Sequence, residues 1–294
     1  MAMYHSFLRF KKGRYFWLAF WLSIICLVAY VWHQPIGPKN GGTWLGYTLG
    51  SIGAALILWL LYFGVRKRDY HSTRGTLIGW LSAHVYLGTA LIVIVTLHSG
   101  FQFGYNVHTL AYACMVLVIL SGFFGVFAYI YYPDIITKNR DNLTRENIFK
   151  EISEIDRYCR KISLGLSEEL QMEVNSAIDH FAVGGNIFKQ LRGLDRSKML
   201  VPGKNGWSEA PNPYQERLIA TLAKHLSQCE NNEEASKVQE LIEFVGSKRK
   251  LVRKLLLDIR MQGLLEIWLY FHIPLSLALL ATLIAHVISV FIYW

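Results

Sequence analysis

Five long apolar segments follow one another along the chain, and a much longer polar stretch separates the fourth segment from the fifth. The segments lie at about residues 15–32, 43–65, 76–100, 107–132 and 264–294. A helix rises about 1.5 Å per residue, so each segment is long enough to cross a hydrocarbon layer about 30 Å thick. The last two segments exceed that length, which indicates tilt or extension beyond the bilayer. The pattern predicts an all-α integral membrane protein with about five transmembrane helices.

The polar stretch has the periodicity of amphipathic helices rather than of membrane spans. We therefore expect three parts: helices one to four in residues 1–132, a cytoplasmic helical insert in residues 133–263, and a fifth helix in residues 264–294 that completes the bundle.

The first two helices of the insert are predicted from their capping residues. Thr144 precedes isoleucines at helical spacing and Ser167 precedes two glutamates, so a helix is expected to begin after each. The glycine pair at 184–185 is expected to end the second of these helices.

The rest of the insert is predicted to be a loop followed by two helices. Residues 194–213 contain three prolines and two glycines and are expected to form a loop. Helical patterns resume at residues 214–228 and again from Glu233. The last of these patterns continues into the fifth apolar segment, which predicts one long helix shared by the insert and the membrane.

Basic residues are concentrated beside particular spans. The net charge is +9, but the insert is nearly balanced, with 21 Lys plus Arg against 19 Asp plus Glu. This balance gives no basic surface for nucleic acid. The excess lies before the first span and between the second and third spans, at Arg9, Lys11, Lys12, Arg14, Arg66, Lys67, Arg68 and Arg74.

This charge distribution is the positive-inside signature, so the N-terminus and the insert are predicted to be cytoplasmic and the C-terminus to lie outside. The first span has the basic flank of a signal peptide, but it is followed by Trp32, His33, Gln34 and Pro35 rather than by a small-residue cleavage site. We expect it to be retained.

Two cofactor classes have no sequence support. The four cysteines, Cys26, Cys114, Cys159 and Cys229, are scattered and form no Cys-x-x-Cys pair, so no iron-sulfur, zinc or disulfide framework is expected. No glycine-rich phosphate loop follows a strand, so no flavin or nicotinamide site is expected.

Two pairs of histidines repeat one interval inside the apolar segments. His84 and His98 are fourteen residues apart in the third segment, and His272 and His286 are fourteen apart in the fifth. Fourteen helical residues turn through about 1400°, within about 40° of four turns, and rise about 21 Å, so each pair shares one helix face. Both segments run outward in the predicted topology. His84 and His272 are therefore expected at one depth in the membrane, and His98 and His286 at another. Imidazoles are costly in hydrocarbon, and neutral imidazoles are axial ligands of haem iron.

Each histidine face carries a small residue one turn from its first histidine. These residues are Gly88 on the third segment and Ser276 on the fifth, and they leave room for a flat macrocycle. Small residues are also common at contacts between membrane helices.

Other polar residues near these faces have more than one interpretation. His108 begins the fourth segment and is an alternative outer ligand in place of His286 or His98, a residue that lines an outer quinone or acceptor site, or one that hydrogen-bonds to the turn backbone. His71, Arg68 and Arg74 lie on the inner connection, where they pair with haem propionates or serve only to set topology. Pro274 removes a helix hydrogen bond close to His272, which either aims the imidazole or forms a simple hinge.

At His84, His98, His272 and His286 the chain resembles the transmembrane domain of ferric reductases and NADPH oxidases. In that family the third and fifth helices each supply two histidines to stacked b-type haems. The resemblance implies two haem b groups, with His84 and His272 as ligands of the inner iron and His98 and His286 as ligands of the outer one. The chain departs from the family in its polar insert and in ending at Trp294 without a flavin and nicotinamide module.

The leading hypothesis is a dihaem membrane cytochrome subunit of an oxidoreductase complex rather than a self-contained enzyme. Expected partners are membrane lipid, quinone and other protein subunits. Such a subunit is an outer cytochrome c, or a cytoplasmic donor that carries flavin or an iron-sulfur cluster. The insert is a bundle that packs on itself or on a neighbouring subunit, or a docking surface for a donor. One alternative is a non-redox membrane scaffold or assembly subunit whose histidines only hydrogen-bond. A proton-coupled transporter is disfavoured because the spans contain almost no acidic residue, with only Glu266 near one.

Overall fold

The computed structural model describes residues 7–69, 71, 73, 75–140, 143–203 and 206–292. Contacts divide the chain into two compact units. The first, here called the membrane unit, comprises Met1–Tyr131 and Trp268–Trp294, and the second, the polar unit, comprises Tyr132–Ile267.

The five predicted spans are helices in the structure. They are α1 (Arg14–Trp32), α2 (Trp44–Arg68), α3 (Leu77–Ser99), α4 (Val107–Arg140) and α9 (Asn232–Ile292). All five are long and apolar enough to cross a membrane. The described residues are therefore those of a predominantly helical membrane protein, as the sequence predicts. The helix from the insert into the fifth span is also confirmed, because α9 is continuous over 61 residues.

Local sequence explains where the spans begin. Thr43 and Thr76 cap α2 and α3 by accepting hydrogen bonds from the backbone N–H groups of Gly46 and Gly79, at 3.0 and 3.2 Å. Asn106 does the same for α4, where its Oδ1 accepts from the N–H of Thr109 at 2.9 Å.

Helix α3 lies at the centre of the membrane unit. It packs against both α1 and α2, and it is the most buried of the five apolar helices. One apolar cluster joins four helices through Ile57, Leu91, Met115 and Leu279, with Val95 and Leu283 packed against it. Leu91 and Val95 belong to the predicted histidine face of α3, and Leu279 and Leu283 to that of α9. The two faces therefore meet in the middle of the unit, between their histidines.

Two basic side chains of this unit donate hydrogen bonds to carbonyl oxygens near the ends of its helices. Arg66 is 5% exposed and donates to the carbonyl oxygens of Asp69 and Gly75, at 3.0 and 2.8 Å, across the connection between α2 and α3. Lys39 donates to the carbonyl oxygens of Tyr30 and Val31 at the end of α1, at 2.7 and 3.2 Å. Both cations therefore satisfy carbonyls at helix ends.

The polar unit packs short helices around the first half of α9. The helices are α5 (Arg145–Ser163), α6 (Glu168–Asp179), α7 (Ile187–Arg192) and α8 (Glu216–Leu226). Their core includes Ile148, Val174, Leu222, Leu241 and Leu255, each completely buried. Thr144 and Ser167 cap α5 and α6 as predicted.

The sequence predictions for the middle of this unit need three corrections. Helix α6 ends at Asp179, before the glycine pair expected to end it. Helix α7 was not predicted. The expected loop contains an antiparallel hairpin, β1 (Lys198–Gly203) paired with β2 (Gly206–Pro211). A two-stranded hairpin has only edge strands, so it accepts the prolines that indicated a loop.

Candidate functional site

The membrane unit brings the histidines of α3 and α9 together at two levels. At one level, the ring centroids of His98 and His286 are 6.0 Å apart. At the other level, His84 and His272 lie within electrostatic range of each other. The apolar cluster of Leu91 and Leu279 lies between the two levels along the helices. His98 and His286 are thus neighbouring rings, and His84 and His272 are near enough to interact electrostatically.

The His98 ring is held by α2. Its Nδ1 lies 2.7 Å from the carbonyl oxygen of Gly46, and a carbonyl only accepts, so Nδ1 carries the proton. Nε2 then keeps its lone pair, which is the form that ligates a metal. Gly50 lies against the same ring, because a Cβ there would be 2.7 Å from Cε1 of His98.

The His272 ring is held by α4. Its Nδ1 lies 2.7 Å from the hydroxyl oxygen of Ser121. That hydroxyl also lies 2.7 Å from the carbonyl oxygen of Val118, to which it donates its single proton. The hydroxyl therefore accepts from Nδ1 of His272, and Nε2 again keeps its lone pair. Trp268 packs beside the ring, with centroids 5.2 Å apart, and donates from Nε1 to the carbonyl oxygen of Ser121 at 2.7 Å.

The His84 ring has a different environment. Its Nδ1 is buried and has no hydrogen-bond partner among the described residues. Phe63 of α2 packs on the ring, with centroids 4.9 Å apart. A Cβ at Gly88, one turn along α3, would meet nothing within 4 Å, so space remains beside this histidine.

The level of His98 and His286 contains a third imidazole. Nδ1 of His108 is hydrogen-bonded to Nδ1 of His286, and their ring centroids are 4.5 Å apart. His286 is therefore a neighbour of both His98 and His108. The hydrogen bond of His108 in the structure is to another histidine and not to the turn backbone, which was one of the expected partners.

The remaining predicted site residues have simple placements. The Ser276 hydroxyl donates to the carbonyl oxygen of His272 on its own helix, at 2.7 Å. His71 is exposed, and its backbone N–H donates to Oδ1 of Asp69. Arg68 is exposed at the end of α2. Arg74 lies outside the described residues.

The separation of the His98 and His286 rings, 6.0 Å between centroids, is compatible with two imidazole ligands on one metal ion. Metal–nitrogen bonds of about 2 Å, with about 1 Å more from each nitrogen to its ring centre, place such centroids roughly 6 Å apart. Hydrogen bonds fix the metal-binding form of His98 and His272. The unpartnered Nδ1 of His84 and the space beside Gly88 are further features expected near a large buried ligand.

The sequence analysis missed the residues that orient the rings, namely Gly46, Gly50, Phe63, Ser121 and Trp268. One signal was available, because Gly46, Gly50 and Gly53 follow the small-residue spacing typical of close helix contacts. Ser121 had no comparable signal, since its contact with His272 joins positions 151 residues apart.

In comparisons with known proteins, no family model, curated protein or solved structure matches the chain. The case for a function therefore depends on the geometry of the membrane histidines.

Proposed function

We propose that the chain is a dihaem b-type membrane cytochrome subunit that transfers electrons across the membrane between a quinone or redox-protein partner and another carrier. The observation that carries this proposal is that histidines of α3 and α9 lie near one another at two levels, His98 beside His286 and His84 within electrostatic range of His272. Hydrogen bonds hold His98 and His272, one from each level, in the form that binds iron.

His84 and His272 would hold one haem iron, and His98 and His286 the other. Bound haem supplies one-electron chemistry, and two histidine ligands leave iron no open position, which favours electron transfer over oxygen binding. The chain's own residues orient the ligands and exclude water. Gly46 and Ser121 fix the ring orientations, and the cluster of Leu91 and Leu279 keeps water from the space between the levels.

The proposed orientation follows from charge. The basic residues before α1 and at the end of α2 favour a cytoplasmic N-terminus, which makes the polar unit cytoplasmic and the C-terminus external. His84 and His272 would then form the inner level, and His98 and His286 the outer one. The proposed family is that of ferric reductase and NADPH oxidase transmembrane domains, with partner subunits supplying electron donor and acceptor.

The decisive experiment is haem content. The full chain, expressed with sufficient haem and purified in detergent, should show b-type bands in its reduced-minus-oxidised spectrum and about two haems per chain. His84→Ala and His98→Ala should each reduce the content by about one haem. His33→Ala is the matched control, because that histidine follows the end of α1 and packs on Trp44. A colourless wild-type preparation, or unchanged haem in both ligand variants, would overturn the proposal.

A scaffold or assembly subunit is the second candidate. One observation favours it, because His98, His272, His286 and His108 all have hydrogen-bond partners within the membrane unit, which satisfies these imidazoles without a metal. In that case Ala variants would destabilise the protein, and no preparation would contain stoichiometric haem.

A further inference from the structure

A second constellation of ligand side chains lies in the polar unit, where α8 connects to α9. His225 lies in the last turn of α8, Glu234 in the first turn of α9, and Cys229 in the connection between them. One ligand atom from each, an imidazole nitrogen, a thiol sulfur and a carboxylate oxygen, lie within 4.8 Å of one another. The nitrogen, Nε2 of His225, is 2.9 Å from Oε1 of Glu234.

We propose that His225, Cys229 and Glu234 bind a divalent transition metal of the zinc class. Thiolate, imidazole and carboxylate are the three side-chain groups that zinc binds in proteins, at about 2.0–2.3 Å, so ligand atoms on one ion lie roughly 3–4 Å apart. The observed cluster needs only small side-chain movements to reach this geometry. Three protein ligands leave a fourth position for water.

The surroundings favour a cation at this position. Glu173 of α6 is 4% exposed and interacts electrostatically with His225. With Glu234 it places two carboxylates near one imidazole. Negative charge on two carboxylates is unfavourable where they are partly removed from water, and a divalent ion stabilises the charged form of both.

The three ligands also belong to a segment that the fold already orders. The backbone N–H groups of Gln228 and Cys229 donate to the carbonyl oxygens of His225 and Leu226, at 2.9 and 3.4 Å. The ligands therefore face one another before a metal arrives. A bound ion joins the end of α8 to the start of α9 and stabilises the polar unit by mass action.

Binding must displace a proton from the thiol. Zinc binds cysteine as the thiolate, so the Cys229 thiol must lose its proton when the metal binds. Metal coordination replaces that proton, and the affinity therefore rises with pH. This site is separate from the membrane histidines and does not depend on the proposed electron transfer.

The test is zinc binding by the full chain in detergent. Metal-stripped protein is titrated with Zn²⁺ against a chromophoric chelator, and the bound zinc is examined by X-ray absorption. One tight equivalent is expected, with one sulfur and otherwise nitrogen or oxygen ligands. Loss of a residue that only supports a ligand costs about 10- to 100-fold in affinity, so Cys229→Ser should weaken this equivalent by more than about 100-fold.

Matched variants separate this site from other zinc ligands. Glu234→Gln should weaken binding, whereas Glu233→Gln should not, because Glu233 pairs with Lys237 at 2.7 Å. Cys114→Ser and His180→Ala should likewise leave the tight equivalent unchanged. Zinc should also slow alkylation of Cys229 in the wild-type chain, a measurement that needs no variant. Absence of sulfur from the zinc shell, or alkylation unaffected by zinc, would overturn the proposal.

Discussion

Nδ1 of His98 on α3 donates a hydrogen bond of 2.7 Å to the carbonyl oxygen of Gly46 on α2. Helix α2 thus fixes the orientation of a ring that it does not carry. Gly50, one turn further along α2, allows the approach, since a Cβ there would lie 2.7 Å from the ring. Real Cβ atoms essentially never make so short a contact, so any larger residue must displace the imidazole.

Gly50→Ala should therefore remove the haem held by His98 and His286. Haem content should fall from about two per chain to about one, with the other haem unchanged. Gly64→Ala is the control on the same helix, because its added Cβ meets nothing within 4 Å. Two haems with unaltered midpoint potentials in Gly50→Ala would show that α2 does not position His98.

Ser121→Ala should loosen the haem held by His272 without removing a ligand. The variant deletes the oxygen that accepts from Nδ1 of His272, and loss of such a supporting hydrogen bond costs about 10- to 100-fold in ligand affinity. We expect faster transfer of one haem to apomyoglobin and a changed midpoint potential. Ser121→Thr should retain wild-type behaviour.

The control for Ser121 is Ser23→Ala, which removes a membrane serine whose hydroxyl donates to the carbonyl oxygen of Ala19 on its own helix at 2.8 Å. Equal rates of haem loss in Ser121→Ala and Ser23→Ala would contradict a positioning role for Ser121.

The membrane helices were predictable because their signal is local and long. Roughly 20 consecutive apolar residues leave few alternatives, and Thr43 and Thr76 mark helix starts by a local hydrogen bond. Histidine spacing also predicts which rings share a helix face, because helical geometry alone determines that.

The ring partners were not predictable, since they depend on which helices become neighbours. Gly46 and His98 are 52 residues apart, and nothing local to His98 indicates the contact. The hairpin was missed for a different reason. Pro202 and Pro211 indicate a loop in isolation, but in a two-stranded sheet both can occupy positions without a ladder hydrogen bond.

Glu173 should make the polar unit less stable as pH rises. Burial, followed by repulsion from Glu169, raises the pKa of Glu173 from 4.5 to about 7. The folded state therefore holds a proton that the unfolded state releases, and stability is lost between pH 4.5 and about 7. The loss is at most about 3 kcal/mol.

Glu173→Gln should remove this dependence and be the more stable form at pH 8. Hydrogen exchange over α6, corrected for intrinsic rates and measured with a chelator present, gives the comparison. Glu168→Gln, an exposed neighbour, is the control. An unchanged pH slope in Glu173→Gln would show that this carboxyl is not the cause.

Lys248 should be a large contributor to the stability of the polar unit. Its side chain is 2% exposed, and Nζ lies 2.6 Å from Oδ1 of Asp156, which is itself 16% exposed. Lys248→Met leaves that carboxylate buried without its partner, which costs about 3–5 kcal/mol. Lys250→Met, on the exposed face of α9, should cost less than about 0.5 kcal/mol.

The double variant Lys248→Met with Asp156→Leu tests the cause. Most of the lost stability should return, since no buried charge remains unpaired. Stability is measured by hydrogen exchange at α5. If the double variant loses as much stability as the two single variants together, the effect of Lys248 comes instead from its packing on Phe181, whose ring centre is 4.7 Å from Nζ.

The contact between His108 and His286 separates two assignments of the outer ligand. His286 neighbours both His98 and His108, and the proposed pairing makes it the iron ligand, so His286→Ala should lose about one haem. His108→Ala should keep both haems, because it removes only the hydrogen-bond partner of His286 Nδ1, and should change one midpoint potential. His33→Ala should change neither property. The imidazole that binds iron is the one whose removal abolishes that haem. If His286→Ala keeps both haems and His108→Ala loses one, then His108 is the iron ligand and His286 is its hydrogen-bond partner.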